Sequence, residues 1–214
     1  MSHRTQAAHD SYDAALQNAR DLIAIHKALS ARAGRRRREL SLNRGAVVLS
    51  VAAWQTFVEQ LTLAILAELA PPATYAGAGV YRLLAAAVEG QVRRLNTPNA
   101  ANSLETFRSV NFDPTPVWNL TISWERQSSA ALGSLRDEET FNPHQARQEL
   151  DSWLLIRHKI AHGDVFSVEP RFANLVTGHS QGRPTLLRRN ADRCISFFEQ
   201  IALATSTEAD RQFP

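Results

Sequence analysis

The segment Arg157-His158-Lys159-Ile160-Ala161-His162-Gly163 gathers four side chains that carry or can take a positive charge into six positions. Like charges this close repel at helical spacing. The end of a helix softens that cost, because the macrodipole favours cations there, so a basic helix end needs no function to exist. Its chemistry nonetheless points further. Arg is a fixed cation whose planar fork suits phosphate oxygens, and His exchanges a proton near neutral pH. Together they suit transesterification of RNA. A base takes the proton of the ribose 2′-OH, the 2′-oxygen attacks the adjacent phosphorus, and the 5′-oxygen leaves. A positioned Arg stabilises the charge that builds on the phosphoryl oxygens. No metal is needed, and DNA, lacking the 2′-OH, cannot react this way. On an ideal helix Arg157 and His162 lie roughly 140° apart. Convergence of the two requires the long reach of Arg, a loosened last turn, or a second copy of the chain bringing another Arg–His pair across a two-fold axis.

A competing pair is His158 and His162, at i and i+4, the spacing of two zinc ligands on one helix face, with Asp164 as a third candidate. Lys159 stands where a metalloprotease of the HExxH type needs Glu, and its charge disfavours a bound dication. The expectation is therefore chemistry without metal or other cofactor.

These residues close a helix over 143–162, in which Asn142 caps, Pro143 begins and Gly163 ends the run. Leu150, Trp153, Leu154, Ile156 and Ile160 are its buried face. The strongest helical pattern lies at 41–70, where Val47, Val48, Val51, Trp54, Phe57, Val58, Leu61, Ile65 and Leu69 recur at steps of three and four, and Pro71-Pro72 stops it. Apolar over most of its girth, it is expected at the centre. Further helices are predicted over 7–32, over 79–95 (Val80, Leu83, Leu84, Val88, Val92, Leu95), over about 98–109 with Thr97 as cap, and over 185–205. Residues 111–142 read as irregular, with Trp118 and Trp124 as core plugs, and 165–183 as a turn or small hairpin. His26, His144 and His179 have no partner visible in the sequence and are expected at the surface. The expected fold is an all-α helical bundle with one long central helix and a small hairpin or irregular insert. It forms a single domain over 1–214, with a core at about 40–205, an N-terminal helix and basic linker over 1–39, and a frayed tail over 206–214.

Of 214 residues, 44% are hydrophobic and 21% charged, which supplies a sizeable core and excludes a disordered chain. The 24 basic residues are 22 Arg and two Lys. Arg suits a nucleic-acid ligand, yet 32 Ala alongside it is the signature of a G+C-rich genome, so abundance alone argues little. The run Arg35, Arg36, Arg37, Arg38 is either a solvated linker or an electrostatic strip for RNA. Arg188 and Arg189, with Arg193, either guide RNA or form a solvated face. The apolar stretch from Ala46 to Ala70 is broken by Gln55, Glu59, Gln60 and Glu68, so no membrane span or membrane partner is expected. The first residues lack the apolar run of a signal peptide. Cys194 has no disulfide partner, and a cytoplasmic location is expected.

The pattern Arg157-x4-His162, in the context Leu-Leu-Ile-Arg-His-Lys-Ile-Ala-His-Gly, resembles the Rx4-6H motif of HEPN-domain ribonucleases. Within that superfamily the chain is similar to the RiboL-PSP-HEPN-like branch over roughly residues 40–200. Ala52-Ala53-Trp54-Gln55-Thr56-Phe57-Val58-Glu59 resembles its early helix, and Leu95-Asn96-Thr97-Pro98-Asn99 its Asn-Thr-Pro helix entry. The resemblance implies a helical bundle, dimeric, with a composite site at the interface. It implies a metal-independent endoribonuclease leaving 2′,3′-cyclic phosphate and 5′-OH ends, in toxin–antitoxin or antiphage defence, with RNA as substrate and an antitoxin or regulatory protein as a further partner. Arg157 and His162 match the motif's catalytic Arg and His. His158 stands where the family often has Asn, which alters how the phosphate is held or adds a second proton-transfer group. His158 and Lys159 are expected to support phosphate binding. Glu59 matches an acidic position on the partnering helix, either fixing Arg157 by a salt bridge or taking part directly. The alternative is a non-catalytic HEPN-like module that binds RNA, nucleotide or protein through the same basic groove, as part of a two-component toxin or defence system.

Overall fold

The apolar stripe of the strongest helical segment becomes α2 (Arg36–Glu68), the element against which α1, α5 and α6 pack. The structure is a computed structural model and describes residues 3–30, 36–72, 77–95, 99–125, 136–163, 175–180 and 183–214. Val47, Val51, Trp54, Phe57, Val58, Leu61 and Ile65 of α2 are buried, while Leu69, at its end, is exposed. The segment Glu39–Glu68 is long and apolar enough to cross a membrane by length and composition, and half of its most apolar window is buried inside the fold. It is a core helix of the bundle.

Before it comes α1 (His3–Ser30). Tyr12 meets Phe57 at 5.1 Å between ring centroids, and His26 meets Asn43, so the two helices run antiparallel. Gly45 permits their close approach, since a Cβ there would stand 2.9 Å from Cδ1 of Leu22. α6 (Arg188–Gln212) lies along both, with the Leu186 carbonyl accepting from Asn43 and Asp210 accepting from Thr5. Trp54 is the hub, its ring 5.6–6.5 Å from those of Phe57, Phe198, Trp118 and Phe107.

α3 (Ala78–Arg93) buries Val88 and Val92 and leaves Val80, Leu83 and Leu84 exposed, so its apolar stripe serves the core only at its C-terminal end. α4 (Ala100–Arg108) is capped by Asn99, whose side chain accepts from the Asn102 N–H at 2.7 Å; the predicted cap, Thr97, lies outside the described residues. The Ala100 N–H donates to Asp151 at 2.9 Å and ties α4 to α5 (Pro143–Ala161).

The fold is mainly helical, as expected, with the expected hairpin and one more. β1 (Leu120–Glu125) pairs antiparallel with β2 (Arg136–Phe141), Leu120 opposite Phe141 and Glu125 opposite Arg136. This corrects the irregular reading of 111–142. Leu120 and Ile122 are buried, and the Ser123 carbonyl accepts from Ser196 of α6. Trp118 is fully buried, its Nε1 donating to Thr205, whereas Trp124 is only half-buried. A second short hairpin joins β3 (Gly178–Ser180) to β4 (Arg183–Thr185).

Two boundary expectations are corrected. α2 starts at Arg36, so Arg36–Arg38 open a helix rather than forming a linker; Arg35 lies outside the described residues, as do the side chains of the other three. The tail is not frayed. α6 continues to Gln212 because Thr205, Ser206, Glu208 and Ala209 are buried and Glu208 accepts from Arg211 and Gln212.

Candidate functional site

The basic segment is delivered by α5, and its ends form as the sequence demands. The Gln145 N–H donates to the Asn142 side chain, and the Asn142 N–H donates to the Gln145 side chain, both at 2.9 Å, with Pro143 in the first turn. Leu150, Trp153, Leu154 and Ile156 are buried and fix the helix against the bundle. At the other end His162 is the C-cap, its N–H donating to the His158 carbonyl at 3.1 Å. Gly163 follows at φ +71°, the left-handed conformation that ends a helix and favours glycine.

That last turn is intact. The backbone keeps α-helical spacing as far as the His162 cap, and at that spacing Arg157 and His162 lie roughly 140° apart. Arg157 is half-buried, and His158 and His162 are exposed. The pair the helix does bring together is His158 and His162, with ring centroids 4.3 Å apart and planes tilted by 49°. No other described residue forms a side-chain hydrogen bond or ion pair with Arg157 or His162. Lys159 is half-buried and engaged. Asp164 lies outside the described residues.

The proposed salt bridge from Glu59 to Arg157 is absent among the described residues. Glu59 is half-buried on α2 and accepts from Gln55 at 3.2 Å, while the same amide reaches the Leu95 carbonyl at 2.6 Å. Glu59 therefore belongs to a link between α2 and the end of α3.

The arginines of α6 are also accounted for. Arg188 bonds Glu125 at 3.0 Å and Asp192 at 3.5 Å, and Lys27 meets the same Glu125 oxygen. Lys27 and Arg188 hold the Glu125 carboxyl below its usual range, whereas burial pushes Asp192 up. Arg189 donates twice to the Thr177 hydroxyl, at 3.1 and 2.9 Å. Arg188 is thus paired with carboxylates, whereas Arg189 is held by a neutral hydroxyl and keeps its charge uncompensated by any carboxylate among the described residues.

Arg193 is buried, not solvated. It donates to Glu139 at 2.7 Å and to Glu149, and lies 5.5 Å from the Trp124 ring and 5.7 Å from that of Phe141. Burial raises the Glu149 carboxyl, with Arg193 opposing. Beside this cluster opens a cavity of about 490 Å³ lined by Glu139, Glu149, Asp151, Gln145 and Gln148, among others. Its carboxylates repel phosphate. A second cavity, of about 270 Å³, alternates Arg20, Lys27 and Arg136 with Glu125, Asp192 and Glu199. Neither includes the basic turn of α5.

His26, expected at the surface, is buried between α1 and α2, with Nδ1 2.6 Å from the Asn43 side-chain oxygen and Nε2 3.9 Å from Glu39. The signal for it was Asn43, a polar residue one turn before the apolar face of α2. His144 is exposed, and the His179 side chain lies outside the described residues. Trp54 and Trp153 are fully buried anchors, as read from the sequence. Cys194 is buried, and burial pushes its thiol far up, so it is no nucleophile.

No family model matches the chain, and neither the curated proteins nor the solved structures contain a significant relative.

Proposed function

We propose that the chain is a metal-independent endoribonuclease acting as a homodimer, with the last turn of α5 as its catalytic element. The observation that carries the reading is the exposed contact of His158 with His162, one residue from an Arg157 that no described residue engages. One neutral imidazole takes the 2′-OH proton, the 2′-oxygen bonds to phosphorus, and the other imidazole, protonated, gives its proton to the departing 5′-oxygen. The products are a 2′,3′-cyclic phosphate and a 5′-OH. Arg157 holds the non-bridging oxygens, where negative charge grows, and Lys159 adds to the positive field. His158 and His162 are exposed, and neither described cavity takes in this turn, so a second copy across it supplies further cations and excludes water. Single-stranded RNA is the substrate class, because its bases and 2′-OH groups are accessible. Such an activity suits an effector of toxin or antiphage systems, restrained by a partner protein in the cytoplasm.

The openness of the turn also favours a second reading, a module that binds RNA or protein there without cutting. Incubating RNA with the chain in EDTA and identifying the product ends separates the two. Cleavage with cyclic phosphate ends supports the enzyme, and mixing Arg157→Ala with His162→Ala chains tests the composite site by restoring activity. Binding without cleavage by a folded dimer across varied RNAs supports the module. Cleavage abolished by EDTA contradicts the mechanism.

A further inference from the structure

We propose that His158 and His162 are a chelating pair for a borderline divalent transition-metal ion, with Zn²⁺ as the type, held at the exposed end of α5. The backbone fixes their spacing, since the His162 N–H bonds the His158 carbonyl at 3.1 Å and keeps the last turn helical. The rings then lie on one face with centroids 4.3 Å apart, and both are exposed. Two imidazole nitrogens on one tetrahedral zinc stand roughly 3.3 Å apart at ordinary Zn–N bond lengths. Adjacent rings reach that separation through side-chain rotation alone. The negative end of the helix dipole favours a cation at this position. Arg157 and Lys159 oppose it: Arg157 lies about 100° from His158 and about 140° from His162 around the helix, whereas Lys159, at i−3 to His162, is only about 60° from it, so Lys159 is the cation that weakens the site most.

Two protein nitrogens leave coordination positions for water, phosphate or the same pair of a second copy. Among the described residues no three His, Cys, Asp or Glu side chains gather for one metal, so this is an open chelate rather than a closed structural site. Neutral imidazole selects zinc-like ions over Mg²⁺ and Ca²⁺, which prefer oxygen. The bound ion takes the lone pairs that proton transfer requires. Zinc is thus an inhibitor of the ribonuclease, a consequence that rests on the proposed function, whereas the binding itself rests on geometry alone.

The test is equilibrium dialysis of the full chain, stripped with EDTA and then exposed to ZnCl₂, with metal measured per chain. The expected result is saturable uptake of one zinc per His158–His162 pair, or one per two chains if copies share it. Excess MgCl₂ leaves it in place. Uptake is lost in His158→Ala, His162→Ala and His162→Gln, each checked for native helicity by circular dichroism, and kept in His144→Ala. Equal uptake by the wild type and the two alanine variants overturns the proposal, as does no saturable binding at any zinc concentration where the chain stays in solution. Zinc binding by a chain that cuts no RNA sustains the chelate and removes the ribonuclease. Cleavage untouched by zinc that is bound sustains the ribonuclease and removes the inhibition.

Discussion

α5 meets arginine in two settings. Near its middle, Glu149 accepts from the guanidinium of Arg193, which is 4% exposed, donates as well to a second carboxylate, that of Glu139, and packs against two aromatic rings. At its end, Arg157 is half-buried, is engaged by no described residue, and adjoins two exposed imidazoles. The first guanidinium is fully consumed: its donors face carboxylates, its plane faces rings, and removing it strands charge in a buried place. The second has no hydrogen-bond or ion-pair partner among the described residues. An arginine's surroundings, more than its presence, distinguish a structural cation from one available to a ligand.

Replacement of each arginine by alanine sharpens this contrast most. Arg193→Ala leaves Glu149 buried with its main counter-charge gone and is expected to cost about 3–5 kcal/mol. Arg157→Ala is expected to stay within about 0.5 kcal/mol of the wild type. Denaturant unfolding of both variants measures the difference; equal losses would mean that Arg157 is structural after all. Next in size is Gly163→Ala. A Cβ there meets nothing within 4 Å, so only the backbone at φ +71° resists, at roughly 1–2 kcal/mol. Calorimetry reads that cost, and an unchanged melting point would show that α5 does not need this terminator.

The smallest effect lies in the last turn of α6. Arg211 and Gln212 hold the Glu208 carboxyl down to about 2, from an ordinary 4.5. The folded state therefore favours the carboxylate. Its contribution is full above pH 4.5 and is lost as the pH falls toward about 2. Arg211→Ala is expected to move the titration of Glu208, followed by NMR, back toward its ordinary value. A midpoint that stays put would separate Glu208 from Arg211.

The sequence was most legible where local signals carried the whole decision. Asn142-Pro143 and Gly163 bracket α5 because caps and terminators act within a few residues. The apolar stripe of α2 is long enough to allow no other reading. Legibility failed where partners are distant. Arg193 finds Glu139 and Glu149 at separations of 54 and 44 residues, so its burial has no local trace. β2, Arg-Asp-Glu-Glu-Thr-Phe, is nearly all polar and is a strand only because β1 is there to pair with it. α3 shows the converse: a sound apolar stripe of which Val80 and Leu83 stay exposed, because neighbours cover only its far end. In the candidate site, the residue types and the helix end were readable. The expected Glu59–Arg157 bridge was not, because Gln55 takes the carboxylate instead.

The central claim is that the last turn of α5 is machinery and not scaffold. It is tested most directly by timing RNA cleavage in EDTA for the wild type, Arg157→Ala and His162→Ala, with melting curves from the same preparations. The prediction is a fall of about 10²–10⁴-fold for His162→Ala, as expected for loss of a proton-transfer group, and a large fall for Arg157→Ala, with melting temperatures unchanged. Rates that match the wild type, or losses that track unfolding, would contradict it.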